Sequence, residues 1–314
     1  MQITPAGLQA LYINFTTQYQ AAYLEPEIFY NEFCTTFTSS TTEEDYVWMD
    51  VLPQLRVWLG ERFVSNLQGR VYKLPNLKFE DTFGVQRDQI EDDKYNVFGP
   101  RVTMLGRAAK KWPDQIMANT IAAGTTALCF DGNPYFFNAH PQDAGNPNSP
   151  TYQNRFDSSA NGGSVSMPLN AQNLLTLVEA IMDYKGADGA PLGIKPTKLV
   201  VPSKLWGTAK QLCELEYIAQ VVGSNVAQMQ SNVMQGWLKP VRFPYLTDVN
   251  RWYVVCGDEP IMPFAWQLRN APEMTFLNRP DDQYSFLRDQ YLFGVRARGN
   301  GGYTLPFLAA TASI

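Results

Sequence analysis

The sequence predicts an α+β fold. Three observations carry that reading. Apolar residues recur at helical spacing near the N-terminus, a strict two-residue alternation runs through residue 80, and a series of short apolar strands follows an αβα stretch after residue 240. The chain has 314 residues, and at about 150 residues per domain this suggests roughly two domains or one large one. Hydrophobic residues make up 45% and charged residues 18%, a balance that argues against disorder. Twenty-five basic against 30 acidic side chains leave a net charge of -5, so there is no global basic field for nucleic acid. One His and four Cys remove most metalloenzyme and triad chemistry, and the composition leans away from an enzyme.

Thr4 reads as an N-cap with Pro5 at the first helical position. Leu8, Leu11, Tyr12, Phe15 and Tyr19 then form one apolar stripe on a helix of about four turns. Residues 30–46 are rich in Thr and Ser without helical period and read as an extended arm. Leu77, Phe79, Phe83 and Val85 face one way and Lys78, Glu80, Thr82 and Gly84 the other, which predicts a half-buried strand. Val71 to Leu74 precede it, with Pro75-Asn76 as turn chemistry, so a hairpin is expected that lies on something larger. Arg87 to Lys94 reads as a solvated helix start. A helical face from Pro100 through Lys111 is expected to break or kink at Pro113-Asp114 and resume to Ala123, with Gly124 as C-cap.

Thr126 to Phe130 reads as a short strand and Asp131-Gly132-Asn133-Pro134 as a turn. Residues 142–167 form a long polar loop. A helix over 170–185, buried through Leu174, Leu177, Val178 and Ile181, leads to a strand at 198–201 and a helix from Pro202-Ser203 to about Leu215. Residues 220–237 are weakly patterned. Strands are expected at 241–245, 252–256, 264–268, 274–277 and 290–298, mainly antiparallel, with turns at Asn270-Ala271-Pro272 and Gly299-Asn300-Gly301-Gly302. No run of 18 apolar residues is present, the start Met1-Gln2-Ile3-Thr4-Pro5 lacks the pattern of a secretory signal, and Cys34, Cys129, Cys213 and Cys256 are too scattered for paired ligands. Four reduced, mostly buried thiols in an intracellular product are expected.

His140 sits between Asp131 and Asp143 in sequence, and a metal-dependent hydrolase on these three is the enzyme reading. A second imidazole is lacking, and neither a G-x-S-x-G nor a papain-like context accompanies His140. A structural His with ring nitrogens bonded to nearby backbone is therefore favoured. The Gly299–Gly302 segment lacks the phosphate-loop pattern. Arg296 and Arg298 alternate with Val295 and Ala297, so both guanidinium groups share one strand face, suited to a partner carboxylate or phosphate or to solvent. The seven Trp are scattered and read as core or subunit-interface residues. No catalytic residue, cofactor or metal site is assigned.

Several stretches in one order resemble a known family. They are Ile3-Thr4-Pro5-Ala6-Gly7-Leu8-Gln9-Ala10-Leu11, then Leu55-Arg56-Val57-Trp58-Leu59-Gly60-Glu61-Arg62 and Arg87-Asp88-Gln89-Ile90-Glu91-Asp92-Asp93-Lys94-Tyr95. Met104-Leu105-Gly106-Arg107-Ala108-Ala109, Trp112-Pro113-Asp114, Leu128-Cys129-Phe130-Asp131-Gly132 and Phe136-Phe137-Asn138-Ala139-His140-Pro141 follow. Over about the first 145 residues the chain resembles the Mu-like phage major head subunit family. The resemblance implies a major capsid protein of the Hong Kong 97-like fold. It implies an N-terminal arm (1–47), an extended loop hairpin region (48–86), a peripheral domain with a spine helix (87–164), an axial domain (165–260) and return strands (261–314). It also implies self-assembly, as hexamers and pentamers, into an icosahedral shell around phage double-stranded DNA, touched non-specifically. Assembly would take place in the host cytoplasm with scaffold, head protease and portal as partners and no membrane. An encapsulin-like compartment shell is the alternative. On this reading the arm face (Leu11, Phe15, Tyr19), the hairpin face (Leu77, Phe79, Phe83) and Arg296 and Arg298 are the expected subunit contacts.

Overall fold

Helix α1 (Pro5–Leu24) begins where the sequence places its cap: the Thr4 hydroxyl accepts from the Gly7 N–H at 3.1 Å, and Pro5 occupies the first turn. The computed structural model describes residues 4–48, 70–92, 98–143, 146, 148–158, 163–186, 189–222, 226–277 and 283–314. Residues 49–69 of the expected extended-loop region, which include the Leu55–Arg62 stretch, and Asp93, Lys94 and Tyr95 of the charged stretch and its motif lie outside the described residues. After α1 a short 3-10 turn leads to β1 (Cys34–Thr38) and β2 (Glu43–Trp48). Next come β3 (Arg70–Pro75), β4 (Leu77–Gln86), α2 (Arg87–Glu91) and α3 (Gly99–Ala123). The pair β5 (His140–Pro141) and β6 (Thr151–Tyr152) precedes α4 (Ala171–Met182), β7 (Lys198–Val201) and α5 (Trp206–Glu214). The hairpin β8 (Tyr217–Val222) and β9 (Val226–Ser231) follows, then β10 (Lys239–Arg242), β11 (Trp252–Val255) and β12 (Phe264–Leu277). The chain ends with α6 (Gln283–Arg288), β13 (Gln290–Tyr303) and β14 (Ala309–Ala312).

Two four-stranded mixed sheets organise these elements, in the orders β1-β12-β13-β4 and β10-β7-β11-β14. Each contains one parallel pair, β1 with β12 and β10 with β7, and two antiparallel pairs, so the late strands are mainly antiparallel as expected. Helix α3 lies along β12 and β13. It runs through Pro113 without interruption for 25 residues, about 38 Å at 1.5 Å per residue. Of the expected break or kink, the break does not occur, and neighbours pack against the helix on both sides of the proline. Trp112 packs edge-on to Trp266, and the buried Asp114 carboxylate accepts from the Phe29 and Tyr30 amides at 3.0 and 2.8 Å. Burial pushes the Asp114 carboxyl up, against the pull of those two amides and of Lys111.

Strand β3 pairs with β2, from Glu43↔Pro75 to Trp48↔Arg70, and β4 pairs with β13. The hairpin expected between 71–74 and 77–85 is therefore absent. Proline fixes φ near -65°, so Pro75-Asn76 cannot form the primed two-residue turn that a tight hairpin needs. Instead Asn76 alone carries the chain from the β2–β3 ribbon into the large sheet, its amide bonded to Thr42 O at 2.9 Å. The Gly299–Gly302 segment is strand, inside β13, and is not a turn. A Cβ on Gly299 would meet Gln267 O at 2.6 Å, one on Gly301 the Thr120 hydroxyl at 2.5 Å, and one on Gly302 a Leu74 methyl at 2.8 Å. These glycines are there for close approach. Likewise Asn270-Ala271-Pro272 lies inside β12, at the register shifts between Leu268 and Glu273. Residues 126–130 hold only a bridge, Leu128 to Pro134, where a strand was expected. The weakly patterned 220–237 stretch contains most of the β8–β9 hairpin.

Three apolar clusters fill the interior. One joins α4, α5, β7, β11 and β14. A central one joins the end of α3, Tyr135 and Phe136 to the large sheet and to the opposite face of β7 and β11. The third joins α1 and α3 to β4 and β13. Strand β14 completes the smaller sheet, while among the described residues of 261–314 β12 and β13 return to the large one.

Candidate functional site

The expected contact residues divide into covered and open groups. Leu11, Phe15 and Tyr19 are buried, and their cover comes from the same chain: Phe15 packs on Phe293 at 5.0 Å and on Phe83 at 6.4 Å. Gly106 lets α3 approach α1 so closely that a Cβ there would lie 2.6 Å from Tyr19 O. Phe83 belongs to the same cluster, stacked on Phe293 at 5.6 Å. The arm face and the inner half of the β4 face are thus core of the protomer, where an outer contact was expected. The reason is that α1 reaches the apolar backs of β4 and β13 within its own chain. Phe79 is half-buried against Trp112 at 5.0 Å, and Leu77 is 46% exposed.

Arg296 is exposed and lies in register between Glu80 of β4 and Glu273 of β12. Arg298 is half-buried between Lys78 and Asn270, and its Nε is buried without a hydrogen-bond partner. Their shared strand face is observed as expected, with Val295 and Ala297 buried beneath it.

Among the described residues two groups of exposed apolar side chains lie on strand pairs. The β2–β3 ribbon exposes the cross-strand pair Val47 and Val71. Its root is fixed by a polar network. Gln267 accepts from the Tyr46 hydroxyl at 2.8 Å and donates to Leu74 O at 3.1 Å and Asn76 Oδ1 at 2.9 Å. Asn76 Nδ2 donates to Ser39 Oγ at 2.6 Å, and the Glu44 carboxylate accepts from the Ser39 hydroxyl and the Ser40 and Thr41 amides at 2.7–3.1 Å. Those donors, the Ser39 hydroxyl first, lower the Glu44 carboxyl from 4.5 to about 2. The second surface surrounds the β8–β9 hairpin, where Leu215, Tyr217, Met229, Val233 and Trp237 are exposed. A groove of about 760 Å³ between the hairpin, α4 and α5 lies beside them. Neither surface was legible as a site, because exposed apolar residues acquire meaning only once packing shows which ones stay uncovered.

His140 is fully buried. Its Nδ1 lies 2.6 Å from Asp131 Oδ2 and its Nε2 3.2 Å from Tyr135 O, so one ring nitrogen meets backbone as expected and the other a carboxylate. Asp131 also accepts from Cys129 Sγ at 2.9 Å and from the Asn133 amide at 2.9 Å. Burial alone would raise the Asp131 carboxyl; the His140 contact and these donors outweigh it and hold it at about 2. Burial pushes the Cys129 thiol up. Asp143 stands outside this cluster, its amide bonded to the Ser149 hydroxyl.

The family model described as Mu-like prophage major head subunit gpT matches residues 8–165, 162–246 and 247–313. The chain is 26% identical to the major capsid protein of Escherichia phage Mu over 303 residues, 96% of this chain and 72% of that one. Among solved structures it resembles a chain of the procapsid of bacteriophage JBD30, with a TM-score of 0.58, 24% identity, and coverage of 99% and 76% of the two chains. A virus-like particle from Pyrococcus furiosus gives a TM-score of 0.52 at 12% identity, over 96% of this chain and 99% of that one. The fold is the Hong Kong 97-like capsid fold. The order of elements, the sheets they build and the match along nearly the whole length lead to one conclusion: this chain belongs to the Mu-like prophage major head subunit gpT family.

Proposed function

We propose that copies of this chain close, as hexamers and pentamers, into the icosahedral shell of a phage head that encloses double-stranded DNA. The observation that carries the proposal is the family match from residue 8 to residue 313 on a capsid fold. The work is surface complementarity: each contact is weak, and a closed symmetric shell multiplies it. No catalytic step is part of this reading. The surfaces that copies cover in one another are the β2–β3 ribbon with Val47 and Val71, the apolar rim around β8–β9, and the strand face with Leu77, Phe79, Arg296 and Arg298. Arg296 then exchanges its glutamate neighbours for a carboxylate of a second copy. The chain divides into arm, extended loop, peripheral domain, axial domain and return strands, with the β2–β3 ribbon at the extended loop, its first strand beginning within the arm segment at Glu43, and with β12 and β13 as the return strands. Scaffold, head protease and portal act with the chain in the host cytoplasm, and the finished location is the virion. Contact with packaged DNA is non-specific and electrostatic.

Electron microscopy of the purified full chain tests this. Closed particles are expected from wild type, and Val47→Asp with Val71→Asp should leave a folded protein, by circular dichroism, that forms none. Normal particles from the double variant would remove the ribbon from the interface. Nuclease-protected DNA inside particles from packaging cells supports a head, and a protein cargo in its place would point to the encapsulin-like alternative.

A further inference from the structure

We propose that Cys129, Asp131 and His140 form a site for one zinc ion, with water as its fourth ligand. The ligand atoms all lie within 4.8 Å of one another, and among the described residues no other three such side chains meet. Thiolate, imidazole and carboxylate are the donor types zinc prefers, at about 2.0–2.3 Å each, and three protein ligands with one water is a common arrangement. In the metal-free form hydrogen bonds take the cation's place. The Cys129 thiol donates to Asp131 Oδ1 at 2.9 Å, and His140 Nδ1 lies 2.6 Å from Asp131 Oδ2.

Zinc would displace two protons to solvent, the thiol's and the one shared between His140 Nδ1 and the Asp131 carboxylate, and form Zn–S, Zn–N and Zn–O bonds with no change of oxidation state. Thiolate, carboxylate and neutral imidazole sum to a charge of -2, which one Zn²⁺ cancels, as a buried site requires. The second shell is already present. His140 Nε2–H faces Tyr135 O at 3.2 Å, which orients the ring so that Nδ1 ligates, and Asn133 donates to Asp131. A cavity of about 20 Å³ lies beside the cluster, bordered by Asp131 and Tyr152 though not by Cys129 or His140, and has room for one water. Bound zinc would pin the loop whose Tyr135 and Phe136 enter the central core. This site is remote in kind from the assembly surfaces and does not rest on the shell reading.

The test uses full-length protein stripped of metal and titrated with Co²⁺, then Zn²⁺. The expected result is uptake of one Co²⁺ per chain with a thiolate charge-transfer band in the near ultraviolet. Zinc should displace that band and raise the melting temperature. Cys129→Ser, which keeps a hydroxyl donor for Asp131, should lose the band and the thermal shift. No band with wild type would overturn the site and leave a purely hydrogen-bonded cluster, whether or not the variant folds. A band unchanged in Cys129→Ser would overturn it too, by assigning the metal to Cys34, Cys213 or Cys256.

Discussion

At the scale of single residues, steric room decides more than charge. Gly106 sits where α1 and α3 close on each other, and a larger side chain must push the arm away. Gly106→Val should therefore destabilise the protomer by about 1–3 kcal/mol, read by chemical denaturation. An unchanged midpoint would mean that α1 does not dock on α3. Phe15 is the largest fully buried side chain of α1, inserted into the third cluster, and Phe15→Ala should cost about 3–5 kcal/mol of folding stability. Because its cover is internal, folding and assembly should fail together; a folded Phe15→Ala protein that only fails to assemble would return this face to the subunit interface. These side chains were legible as an apolar stripe, since period and cap are local. What covers them was not, because a stripe reads the same against its own chain or a neighbour. The Gly299–Gly302 run shows the same limit: its glycines answer to Gln267, Thr120 and Leu74, far away in sequence.

At the scale of elements, the root of the β2–β3 ribbon is where pH acts. The Glu44 carboxyl is lowered from 4.5 to about 2 by the Ser39 hydroxyl and the Ser40 and Thr41 amides. A lowered folded value contributes stability that is present above pH 4.5 and lost as pH falls toward 2. Hydrogen exchange at the Ser40 and Thr41 amides should therefore accelerate across that window beyond its intrinsic pH dependence, and Glu44→Gln should remove the extra acceleration. Equal profiles for both proteins would contradict the network. Helix α3 offers a second test. Asp114→Ala leaves the Phe29 and Tyr30 amides buried without an acceptor and should cost about 1–3 kcal/mol. Denaturation measures the loss, and faster exchange at those two amides locates it. Helices α1, α3 and α4 and strand β7 were readable because caps and periodicity lie within a few residues. The pairing of β3 with β2 was not, because a proline that forbids the local turn leaves the choice of partner to the rest of the fold.

At the scale of the whole molecule, the described residues leave the ribbon and the β8–β9 rim as uncovered apolar margins on a capsid fold. The sequence carried the family through an ordered set of unremarkable motifs, none with chemistry of its own, and the fold followed from that order. The margins came only with the packing. The central claim is that the protomer keeps its arm for itself and gives its ribbon and rim to its neighbours. The most direct measurement is a cryo-electron microscopy map of assembled particles at side-chain resolution. The account predicts a closed shell in which α1 lies on α3 of the same chain while Val47, Val71 and Met229 are buried against other copies. A chain that stays monomeric at every concentration and ionic strength, or a shell in which those three side chains face solvent, would contradict it.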